Sequence, residues 1–136
     1  MMNNAVTEND NIKLSLPVNA AYVSAARLTA SSVANRLGFD IDEIEDIKAA
    51  VSEACTYIIK AISSGSGKDF SIVFNVRAEQ LEIRINVGVA LTLENLNDEM
   101  GLRMIQALMD EMCIQNTEDD ELEIKMVKTH KTQLFE

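Results

Sequence analysis

The stretch Asp40 to Ile62, D-I-D-E-I-E-D-I-K-A-A-V-S-E-A-C-T-Y-I-I-K-A-I, decides how this chain is read. Asp40 followed three residues later by Glu43 is a capping-box start, in which each side chain satisfies a backbone N–H of the other. Ile44, Ile47, Val51, Ala54, Ile58 and Ile62 then recur at helical spacing and form one apolar stripe. Asp46, Ala50, Glu53, Tyr57 and Lys60 line the adjoining face, three and four residues apart. Taken alone, that second face reads as an ordinary solvated helix surface.

Working outward, Ile12, Leu14 and Leu16 alternate with polar residues and predict a first strand that Pro17 ends. Ala20 to Leu37 is rich in helix formers, and Gly38 suits its C-terminal end. After the Asp40 helix, residues 63–68 predict a loop. Phe70, Ile72, Phe74 and Val76 predict one strand, and Leu81, Ile83, Ile85 and Val87 the next, joined as a hairpin. Leu91 to Glu99 reads as a connector. Met100 to Met112 reads as a third helix, with Leu102, Ile105, Leu108, Met109 and Met112 inward. Ile114 and its neighbours pair with Leu122 to Val127 around an acidic turn, Glu118 to Glu121. The expected class is α+β, a two-layer sandwich with helices on one face of a mainly antiparallel sheet. Residues 1–10 read as a mobile tail and 11–136 as a single domain.

The chain has 136 residues, 47% of them apolar, enough for one globular core. No apolar run has the length of a membrane span and the polar start is not a signal peptide, so the expectation is a cytoplasmic protein without membrane contact. A formal net charge of −10 argues against nucleic-acid binding, which depends on Lys and Arg neutralising phosphates. Cys55 and Cys113 lack metal-ligand spacing and read as reduced thiols, and His130 is the lone histidine, so no metal site is expected. Gly67-Lys68 is not a Walker A end. Ile62 stands where that loop requires glycine, and Asp69 where it requires Ser or Thr.

Residues Asp42 to Thr56 resemble the first signature motif of the bacterial partner-switching anti-sigma factors, serine-protein kinases of the GHKL ATPase superfamily. Gly101 through Met109-Asp110-Glu111 resembles that family's last helix, and Ala26-Arg27-Leu28-Thr29 its first, the region used to contact sigma factors and their antagonists. The resemblance implies the same α+β layout. It places Glu53 at the general-base position and Tyr57 at the position of the magnesium-holding asparagine. It also puts Arg27 on the partner-binding helix and admits a homodimer.

The nucleotide-binding positions depart from the family pattern. Aligning the inward residues of the Leu81 strand puts Val87 at the adenine-recognising aspartate and Val89 at the first glycine after it. Losing one charge-assisted hydrogen bond costs about 1.5–3 kcal/mol, or roughly 10- to 150-fold in affinity. Shifting the register by one residue would let Asn86-Val87-Gly88 imitate Asp-x-Gly, at the cost of turning the apolar side of the strand outward. Gly101 keeps the second glycine of the family's later Gly-x-Gly, while Glu99 replaces the first with bulk and negative charge. A neutral phenol at Tyr57 is a poor magnesium ligand. The expectation is a regulator of transcription that binds a sigma factor, an anti-sigma antagonist, or both, with its ATP site lost and no cofactor. The alternative is an active Mg-ATP-dependent kinase that phosphorylates a serine of the antagonist.

Overall fold

A computed structural model describes residues 10–62, 69–88 and 99–130. In chain order these form β1 (Asn11–Pro17), a single 3-10 turn at Ala20–Tyr22, α1 (Val23–Arg36), α2 (Ile41–Ile62), β2 (Asp69–Arg77), β3 (Gln80–Asn86), α3 (Glu99–Leu108), β4 (Glu111–Asn116) and β5 (Leu122–Thr129). The five strands make one antiparallel sheet in the order β1-β2-β3-β5-β4. Val89, residues 91–98 of the connector, the loop 63–68 and the first nine residues of the tail lie outside the described residues.

The expected alternation fixes which side of the sheet faces the helices. Phe70, Ile72, Phe74 and Val76 of β2 are buried, as are Leu81, Ile83 and Ile85 of β3 and Leu122, Ile124 and Met126 of β5. The intervening residues of β1 to β3 are largely polar and point to the opposite face, away from the described helices. Helix α2 lies between α1 and α3, packing against both.

Local sequence sets the helix ends. The capping box forms as its spacing predicts: the Asp40 N–H donates to Glu43 Oε1 at 2.9 Å, and the Glu43 N–H to Asp40 Oδ1 at 2.8 Å. At the end of α1 the Phe39 N–H donates to the Ala34 carbonyl and the Gly38 N–H to that of Asn35. This is a Schellman closure, and it needs the left-handed conformation that Gly38 adopts at φ +87°.

One expectation about the helices is corrected. Helix α3 ends at Leu108, so Met112 is not its last inward residue; it belongs to β4 and pairs with Met126 of β5. The Asp110 N–H donates to the Val127 carbonyl, and Asp110 Oδ2 accepts the Thr129 N–H, so strand pairing begins before the helical pattern runs out. The second face of α2 is not simply solvated. Ala50 is fully buried and Tyr57 only 2% exposed, in a helix that packs against both α1 and α3.

Candidate functional site

The site expected from the sequence centres on the second face of α2. Glu53 is half-buried one helical turn before Tyr57, which lies in the main hydrophobic core. Gly101 is buried in the first turn of α3, the helix that packs on α2. Val87 continues β3 on its inner side and is 4% exposed. Glu53, Tyr57, Val87 and Gly101 thus sit on elements packed around one end of the helical layer. Val89 and the side chain of Glu99 lie outside the described residues.

The register of β3 sets which side chains at its end face the helices. Asn86 pairs with Ser71 on one side and Glu123 on the other, which places it on the face of the sheet turned away from the helices. Its Oδ1 accepts the Gly88 N–H at 2.6 Å, closing an Asx turn in which Gly88 adopts φ +70°. The residue whose side chain enters the interior is Val87. A valine has no hydrogen-bonding side-chain atom, and Tyr57 offers a single phenolic oxygen rather than the amide or carboxylate oxygens magnesium prefers.

Arg27 stands apart from this group, half-buried on α1 at the other flank of α2. Its neighbours Ala26 and Ala30 are fully buried, whereas Leu28 is 70% exposed. In the sequence Leu28 stands out only as part of a matching tetrapeptide. An apolar residue flanked by Arg27 and Thr29 carries no signal of its own exposure.

Lys128 also escapes the sequence reading. It continues the inward series Leu122, Ile124, Met126, a position where a charge is unexpected, and that break in alternation is a readable signal. Lys128 Nζ donates to the Leu108 carbonyl at 2.5 Å and to Asp46 Oδ2 at 3.4 Å, joining β5 to the C-terminal end of α3 and to α2. His130 Nδ1 lies 3.3 Å from Glu43 Oε1, and its ring meets Phe39 edge-on at 5.2 Å. The lone histidine therefore ties the end of β5 to the start of α2.

Burial pushes the Cys55 thiol up to about 12, so it is not a nucleophile at neutral pH. Among the described residues no group of three or more His, Cys, Asp or Glu side chains is placed to hold a metal ion. No described helix is long and apolar enough to cross a membrane.

The sequence pattern of the histidine kinase-like ATPase domain family matches residues 16–128. Serine-protein kinase RsbW of Bacillus cereus (strain Q1) is 35% identical over a 127-residue alignment that covers 80% of this chain and 79% of the relative. The chain belongs to the partner-switching branch of the GHKL ATPases. RsbW of Bacillus anthracis (strain A0248) matches at the same identity and coverage. Among solved structures, the RsbU and RsbW domains of Rv1364c from Mycobacterium tuberculosis superpose with a TM-score of 0.69 at 14% identity. That match covers 88% of this chain and 32% of the other, and it shows a shared fold. The family's arrangement of helices on one face of an antiparallel sheet is the arrangement found here.

Proposed function

We propose that this chain regulates transcription by binding, engaging a sigma factor, an anti-sigma antagonist, or both, and that its ATP site has been lost. The observation that carries the second half is the register of β3. The position aligned with the adenine-recognising aspartate is Val87, buried at 4% exposure, while the acceptor beside it in sequence, Asn86, is on the far side of the sheet and engaged by Gly88. Tyr57 supports the same reading, since a phenol is a poor magnesium ligand and this one belongs to a side chain only 2% exposed in the core. These residues do not fit a magnesium nucleotide, and no phosphoryl-transfer step is assigned to Glu53.

The binding half rests on α1. Leu28, 70% exposed beside the half-buried Arg27, offers an apolar contact next to a guanidinium on the helix that the family uses for its protein partners. Each would contribute differently: Leu28 by leaving water, Arg27 by a directed hydrogen bond to an acidic or carbonyl acceptor.

The second reading, an active serine kinase, is favoured by the retention of Glu53 and Gly101 and by the name of the 35%-identical relatives, serine-protein kinase. Calorimetric titration of the full chain with ATP and magnesium separates the two. No heat beyond dilution at millimolar nucleotide is the expected result; micromolar binding would overturn the loss of the site.

A further inference from the structure

The face of the sheet turned away from the helices carries a pattern that the helical site does not use. Strand register aligns its side chains into rows that cross the strands. One row runs Lys13, Val73, Arg84, Lys125 and Cys113, because Lys13 pairs with Val73, Val73 with Arg84, Arg84 with Lys125, and Lys125 with Cys113. The rows on either side are neutral and polar at β1 and β2, with Asn11 and Asn75 on one and Ser15 and Ser71 on the other, and each carries a glutamate further along, Glu82 and Glu123. Asn11, Lys13, Asn75, Arg84, Asn86 and Glu123 are among the residues lining a concavity of about 440 Å³ on this face.

Three cations in one row are unexpected on a chain of net charge −10 that holds only 12 Lys and Arg. Arg84 and Lys125 sit directly opposite each other, an arrangement that destabilises a sheet unless an anion offsets it. Glu82 supplies part of that offset. It lies 3.0 Å from Arg84 Nε, 3.7 Å from Lys125 Nζ and 3.8 Å from the Arg77 guanidinium. Burial of Glu82 works against its ionisation, but the Asn75 hydrogen bond and the charges of Arg84 and Lys125 outweigh it and hold the carboxyl below its usual range. One carboxylate thus faces three cations, and Lys13 has no ion pair among the described residues. Arg84 commits its Nε to Glu82, which leaves its terminal nitrogens for another acceptor.

We propose that this row is a docking groove for an extended, carboxylate-rich segment of a protein partner, lying across the strands from Lys13 to Lys125. Spacing supports an extended segment. Neighbouring strands are about 4.8 Å apart, so the row from β1 to β5 spans roughly 15 Å, the reach of about five residues of extended chain at about 3.3 Å each. Charge complementarity supports carboxylate side chains: Arg77, Arg84 and Lys125 share the single carboxylate of Glu82, and Lys13 adds a further cation to the row. This groove is on the opposite side of the sheet from α1, so the proposal stands or falls separately from the reading of the helical face.

The test uses the full chain and a fluorescein-labelled hexaglutamate peptide, with hexaglutamine as control, followed by anisotropy at 50 and 200 mM NaCl. Saturable binding of hexaglutamate that weakens at least threefold with the added salt is expected, with none of hexaglutamine. Lys13→Glu, at a position with no ion pair among the described residues, and Arg84→Gln should each weaken it tenfold or more, and Lys60→Glu on α2 should leave it unchanged. Circular dichroism melts identify any variant that has lost its fold, and Lys13→Glu is then the deciding variant. Equal affinity for the two peptides, unchanged affinity in Lys13→Glu, or no saturation at millimolar peptide would overturn the proposal. So would displacement of the peptide by micromolar oligo-dT, or a self-associated chain that Lys13→Glu dissociates, since the groove would then serve DNA or a second copy.

Discussion

Lys128 of β5 reaches Asp46 of α2 at 3.4 Å while its ammonium also caps α3, donating to the Leu108 carbonyl. Cations are favoured at helix C-termini, where carbonyls lack intrahelical partners. Lys128 is 8% exposed and Asp46 considerably more open, so the two ends of the pair are unequal. Lys128→Met keeps the packed stem but removes the cap, and should lower stability by about 1–2 kcal/mol in urea denaturation. Asp46→Asn should cost less than about 1 kcal/mol, because a half-exposed partner is screened by water. Equal losses in both variants would show that the pair, not the cap, matters.

Restoring the family's asparagine at residue 57 should not restore a nucleotide site. Tyr57 is 2% exposed within the core, so Tyr57→Asn leaves a cavity and buries an amide, and a loss of roughly 3 kcal/mol or more is expected. Val87 remains without an acceptor in that variant. The expected result of titrating it with Mg-ATP is no binding, together with a clearly lowered melting temperature. A stable Tyr57→Asn protein that binds nucleotide would show that residue 57 faces the pocket.

Much of this fold is legible along the chain because its strongest signals are local. The Asp40–Glu43 box and the alternation in β2 and β3 need only neighbours within a turn or a strand, and both appear where their spacing puts them. The errors come where distant elements decide. Met112 fits a helical series from Leu102, yet its place is set by Met126 across β4 and β5. Ala50 and Tyr57 lie on a face that looks solvated along the sequence, yet both are buried in a helix that packs against α1 and α3. Of the candidate site, Glu53, Tyr57 and Gly101 are reached through motif resemblance. Lys13, Arg84 and Lys125 become one row only through the registers of four strands, which no local pattern encodes.

The two thiols should separate cleanly. Cys55 is fully buried, with its thiol pushed from 9.0 to about 12 by loss of solvent, while Cys113 is exposed on β4. At pH 8 a thiol-specific reagent should label one cysteine per folded chain within minutes and the second only on unfolding. The sign of the linked stability follows from the raised value. Between pH 9.0 and about 12 the native state keeps a proton that the unfolded chain releases, so this group makes stability fall as pH rises through that window. Replacing Cys55 by Ala should flatten that part of the profile. An unchanged slope would assign the alkaline loss to other groups.

The exposed leucine of α1 provides the sharpest division between folding and recognition. At 70% exposure Leu28 buries little, so Leu28→Glu should change stability by no more than about 0.5 kcal/mol. If α1 is the partner surface, the same change removes an apolar contact and introduces a charge into an interface, where truncating a central residue commonly costs about 2 kcal/mol or more. Binding of a captured sigma factor or antagonist should then weaken at least about 30-fold. Arg27→Ala is expected to weaken it as well, chiefly through faster dissociation if its guanidinium is desolvated against an acceptor. Surface plasmon resonance on folded variants reads both effects. Unchanged affinity in Leu28→Glu would remove α1 from the interface, whatever the melting curves show.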